Sequence, residues 1–108
     1  MRQDDFGTLW EHLVLEYLQA HFPDTPAHYW RDKAGREVDF VLAHRRDAVD
    51  AIECKWNPSA FESAALKLFR TCHPKGRNFL VSPAGEPAYS KRHGEVEVRV
   101  CTPAGLQP

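Results

Sequence analysis

The chain has 108 residues, with 14 Lys and Arg against 15 Asp and Glu, and 43% of its side chains are hydrophobic; this suits one domain with a core of its own. A net charge of −1 excludes a protein that coats nucleic acid by bulk electrostatics. No apolar run approaches the roughly 20 residues of a bilayer span, so no membrane partner is expected.

The three cysteines, Cys54, Cys72 and Cys101, are odd in number, widely spaced and set in apolar runs. They read as reduced core residues of a cytoplasmic protein that needs no disulfide. No CxxC or HExxH pairing occurs, and Met1-Arg2-Gln3-Asp4-Asp5 is not a signal peptide. Charge is unevenly spread. Residues 1–24 hold five carboxylates against Arg2, whereas the remainder carries thirteen Lys and Arg against ten carboxylates. Arg45-Arg46, Lys75-Gly76-Arg77 and Lys91-Arg92-His93 fall in predicted loops, where solvated turn charge is the ordinary reading and contact with a phosphate backbone the alternative.

In chain order, Gly7 to His21 predicts a helix with Leu9, Trp10, Leu13, Val14, Tyr17 and Leu18 on one stripe, Asp4 or Asp5 as N-cap, and Phe22-Pro23 as its stop. Glu11 and Glu16 fall on opposite borders of that stripe, and periodicity does not choose between them. His28 to Asp32 reads as an aromatic strand, and Lys33-Ala34-Gly35-Arg36 as a tight turn.

The next two strands carry charge where a buried strand should carry none. Arg36-Glu37-Val38-Asp39-Phe40-Val41-Leu42 and Ala51-Ile52-Glu53-Cys54-Lys55-Trp56 are separated by a connection short enough for a hairpin turning near Arg45, Arg46 and Asp47. Alternation puts Glu53 and Lys55 on one face, and Asp39 opposite Val38, Phe40 and Leu42. If Asp39 and Glu53 meet at one end, their oxygens can share a divalent cation, with Lys55 roughly 7 Å along the strand. The same residues also suit a cross-strand ion pair.

Ser59-Ala60-Phe61-Glu62 fits a capping box opening a second helix, with Phe61, Ala64, Ala65, Leu68, Phe69 and Cys72 inward and Glu62, Lys67 and Arg70 toward water. Asn78 to Ser82 reads as a buried strand, Pro83 to Gly94 as turn and loop, and Glu95 to Val100 as a strand at the sheet's edge. Residues 1–102 form one expected domain, and 103–108 a tail without a packing role. The whole is an α/β fold with a mixed sheet flanked by helices. Trp10, Trp30 and Trp56 are assigned to packing, and the six histidines show no ligand spacing.

Glu11 on the first helix, Asp39 in Glu37-Val38-Asp39-Phe40-Val41, and Glu53-Cys54-Lys55 resemble the active-site pattern of the PD-(D/E)xK nuclease superfamily. Gly7-Thr8-Leu9-Trp10-Glu11, Tyr29-Trp30-Arg31-Asp32-Lys33 and Ile52-Glu53-Cys54-Lys55-Trp56 further resemble the C-terminal domain, of uncertain function, of prokaryotic AAA-type ATPases. The match covers roughly residues 7–82. It departs from the superfamily at Val38, where the name has proline, and no GxxxxGK[ST] stretch is present.

The resemblance implies a restriction-endonuclease-like αβββαβ core. It also implies Asp39, Glu53 and the Cys54 backbone carbonyl as ligands of Mg2+ or Mn2+, Glu11 as an outer or water-orienting carboxylate, and Lys55 beside the attacking water and scissile phosphate. Lys55 then either steers or deprotonates that water. Hard oxygen ligands that leave positions open suit phosphodiester hydrolysis. Two functions follow as expectations. One is a metal-dependent DNA nuclease acting as a homodimer or beside a separate ATPase. The other is a non-catalytic DNA- or protein-binding module on the same fold, partner of an AAA-type ATPase.

Overall fold

A computed structural model describes residues 3–106, with the side chains of residues 3–5, 44 and 45 outside the description. The element order is α1 (Gln3–His21), β1 (Ala27–Arg31), β2 (Glu37–Arg45), β3 (Ala48–Cys54), α2 (Ala64–Cys72), β4 (Asn78–Val81), β5 (Tyr89–His93) and β6 (Val96–Cys101). One six-stranded mixed sheet runs β1-β2-β3-β4-β6-β5. The first three strands are antiparallel, β3, β4 and β6 are parallel, and β5 closes the far edge antiparallel to β6. α2 is the crossover that a parallel β3–β4 pair requires.

Each sheet face has its own core. Trp10, Val14, Leu18 and Phe22 bring α1 onto Phe40, Leu42, Ile52, Cys54, Phe79 and Val81. On the other face Leu66 and Phe69 of α2 pack on Val38, Ala51, Leu80, Val98 and Val100. β3 and β4 are therefore apolar on both faces, as central parallel strands must be. The Trp10 indole donates to the Val81 carbonyl at 2.9 Å, and the Lys55 amide donates to that same oxygen at 3.1 Å. One carbonyl thus pins α1 to the end of β3.

A second clasp closes the opposite end. All five Arg70 N–H groups are used: Nε on Asn78 Oδ1, and the two terminal nitrogens on the carbonyls of Val49, His73, Lys75 and Arg77. Asp50, 2% exposed, takes the Arg77 amide and a two-point guanidinium contact. Gly76 passes so close to β3 that a Cβ there would lie 1.7 Å from the Val49 oxygen, at φ +138.

The differences from expectation have local causes. α1 already includes Asp4 and Asp5, so neither precedes the helix as an N-cap. Leu9 and Leu13 are each 47% exposed, which narrows the buried stripe to the Trp10, Val14, Leu18 line. The capping box is absent. Asn57 instead caps a short 3-10 turn, Pro58–Ala60, by accepting the Ser59 amide, and α2 opens later at Ala64. That shift turns Leu66 inward, leaves Cys72 exposed, and bends Arg70 back into its clasp. Residues 89–93 form the edge strand, so β6 is internal. Leu106 is buried in the α1-side core, which gives the segment after β6 a packing role.

Candidate active site

A bulge in β2 builds the site. Val38 pairs with Trp30 and Val41 with His28, so two residues of β2, Asp39 and Phe40, stand against Tyr29 alone. The extra residue reverses side-chain parity. Val38 lies in the α2-side core, while Phe40 and Leu42 lie in the α1-side core. This corrects the unbroken alternation expected for this strand, and it falls at the position of the aspartate.

The register Phe40↔Ile52 places Asp39 beside Glu53 where the two strands of the hairpin part. Side chains replace the ladder there. Glu53 Oε1 accepts the Asp39 amide at 2.9 Å, and Asp39 Oδ2 accepts the Cys54 amide at 2.8 Å. Each carboxylate is thus oriented by the other's strand through one oxygen. Glu53 is 7% exposed.

Burial and mutual repulsion raise the proton affinity of every acid in the cluster. Burial first, then the neighbouring Asp39 charge, pushes Glu53 up to about 8. Asp39 is raised by burial and by Glu37, against the Cys54 amide and Lys55, which lower it. Glu11, on an exposed turn of α1, is raised by burial of its carboxyl group and by Asp39 and Glu37, with His12 and Lys55 opposing. Lys55 lowers all three, so its ammonium serves the whole cluster. The Cys54 thiol is driven upward by burial and by the three carboxylates, which keeps it neutral and leaves only its backbone for chemistry.

The four side chains expected to act together, Glu11, Asp39, Glu53 and Lys55, therefore share one locus. Glu37 reaches it electrostatically while pairing with Arg31 at 3.0 Å. Among the described residues no group of three or more His, Cys, Asp or Glu is placed to hold a metal ion. The donor set still fits a hard cation: two hard-oxygen carboxylates, mutually repelled and each held through a single oxygen, match the one or two carboxylates by which Mg2+ is usually bound.

The expected nucleic-acid contacts are not part of this cluster. Arg45 pairs with Ala48 at the far end of the hairpin, with its side chain outside the description, and Arg46 is exposed in the turn. Lys75 pairs with Asp47 at 3.6 Å, Arg77 with Asp50 at 2.6 Å and Arg92 with Glu97 at 3.7 Å. Lys91, opposite Val98, is exposed on β5. These residues gather toward the end of the strands where β3 begins, whereas Glu53 lies where β3 ends. The Asp50–Arg77–Arg70 network was not foreseen, although an aspartate between Val49 and Ala51 is itself a charge inside an apolar strand.

None of the curated proteins compared matches the chain. A family model matches residues 6–100, most of the chain, and the protein belongs to that family, a domain of unknown function (DUF4143).

Proposed function

We propose that this domain hydrolyses phosphodiester bonds in DNA with Mg2+ or Mn2+, in the manner of the PD-(D/E)xK nucleases. The observation that carries the reading is the reciprocal grip of Asp39 and Glu53 at the parting end of a hairpin, with Glu11 and Lys55 around it. The order helix, three antiparallel strands, helix, parallel strand supports a restriction-endonuclease-like core, to which the β5–β6 hairpin is added.

Each residue has a distinct task. Asp39 and Glu53 would hold the cation, aided by the backbone at Cys54. When bound, such a cation polarises the phosphate and makes water more acidic. Lys55 offsets the carboxylate charge that would repel a phosphate and orients the attacking water. Glu11 accepts a hydrogen bond from that water, its raised proton affinity suiting it to take up a proton. A buried acid pair is costly to the fold, which is typical of a site kept for chemistry rather than stability. Domains of this family often occur with AAA-type ATPases, which supports a partner ATPase acting on the same nucleic acid.

The test is release of label from single-stranded and duplex DNA with Mg2+ or Mn2+. Cleavage by the native chain should fall by at least about 100-fold in Asp39→Asn and in Glu53→Gln, with unchanged circular dichroism. Equal cleavage by native and variant chains would overturn the assignment of residues. No cleavage by the native chain would leave the binding module instead.

A further inference from the structure

The expected basic residues separate by sheet face, and one face makes a platform. Val98 and Val100 of β6 point into the α2-side core, so Glu97 and Arg99 lie on the opposite face with Cys101. Register sets Ser90 of β5 and Phe79 of β4 beside Arg99, and Arg92 beside Glu97. Arg77, two residues before Phe79, lays its guanidinium over that ring at 5.3 Å. Arg92 of β5, Arg99 of β6 and Arg77 just before β4 thus share one face, with a serine hydroxyl among them. The α1-side core ends on β4 and β6 at Phe79, Val81 and Cys101, and Arg99 beyond it is exposed.

Where β4 and β6 begin, this face meets a cleft of about 1340 Å3 that Lys67 and Arg70 of α2 line from the other side of the sheet. Small-molecule pockets usually hold roughly 300–1,000 Å3, so the cleft suits an extended ligand. Five cations line it against Glu95 and Glu97, with Asp50 buried beneath Arg77. The Arg92–Glu97 contact, 3.7 Å between side chains more than half exposed, is a weak surface pair that a stronger anion displaces. Along the register Glu53↔Leu80↔Val100, Glu53 has the α2-side parity of Leu80 and Val100, so Arg99 lies two strands across from it and on the other face of the sheet.

We propose that the β4–β6–β5 face, through Arg99, Arg92 and Arg77, holds the phosphodiester backbone of nucleic acid. The choice of a nucleic acid among polyanions rests on the phosphodiester reading of the acid cluster. Arg99 carries the contact without a role in the fold, and Lys75 and Lys91 take no part.

Binding of labelled oligonucleotides of about 20 nucleotides, single-stranded and duplex, is followed by fluorescence anisotropy in EDTA, so that no cleavage intervenes. Arg92→Glu/Arg99→Glu should lose at least ten-fold in affinity, and the milder Arg92→Gln/Arg99→Gln should flatten the salt dependence by a slope of about 1.5 between about 50 and 200 mM. Lys91→Glu, on the other face of the sheet opposite Val98, should bind as the native chain does, which separates this platform from the remaining basic residues. Duplex preferred over single strand, or the reverse, identifies the source of the backbone. Native-like affinity in both arginine pairs, or polyglutamate competing as well as DNA, would overturn the proposal.

Discussion

Neutralising Glu53 should stabilise the protein, and more so the further the pH rises above about 4.5. Its proton affinity in the folded chain, about 8, lies above its ordinary value of 4.5 because burial and Asp39 oppose the charge. Between those values the folded state binds more protons than the unfolded one. Stability therefore falls as pH rises from about 4.5 to about 8, and levels off above. At 1.36 kcal/mol per tenfold change in proton affinity, the interval amounts to about 5 kcal/mol for an isolated group. Asp39 shares the repulsion and the site relaxes, so about 2 kcal/mol is expected to be recovered in Glu53→Gln, whose amide oxygen still accepts the Asp39 N–H. For a domain of this size that is a rise in Tm of about 10 °C at pH 9. The assay is thermal unfolding in chelator at pH 5 and pH 9. Parallel pH profiles for native chain and variant, or a variant less stable at pH 9, would refute the argument.

Three further outcomes test the frame around the site. Arg70→Lys can serve at most three of the five acceptors that the guanidinium reaches, and should cost about 3 kcal/mol in urea denaturation. Gly76→Ala drives a Cβ into the Val49 carbonyl at a backbone angle that side chains rarely adopt, so it should lose more than about 3 kcal/mol or fail to fold when expressed. Cys72 is exposed while Cys54 and Cys101 are buried, so one thiol per native chain should react with Ellman's reagent, and all three after unfolding.

The meeting of Asp39 with Glu53 was legible because it needs only a short hairpin and a charge in each apolar strand. The bulge was not, since an extra residue leaves no trace in Glu37-Val38-Asp39-Phe40-Val41 itself. Glu11 and Glu16 are equivalent by periodicity; Asp39 beside the first of them is a tertiary fact. The edge strand Tyr89–His93 escaped because nearly all of it is exposed and it lacks apolar alternation, although Gly94, at φ +65 in its two-residue turn, is the expected hairpin residue. α2 was misphased because a 3-10 turn took the sequence read as its first turn. Leu106 has no periodic neighbours to reveal that it fills the α1-side core.

A titration of Mn2+ followed by electron paramagnetic resonance at pH 8 tests the acid cluster as a cation site most directly. The native chain should take up one Mn2+ with release of a proton as Glu53 ionises, and Asp39→Asn should lose that binding while keeping its fold. Absence of binding at millimolar Mn2+, or binding that survives Asp39→Asn unchanged, would contradict it.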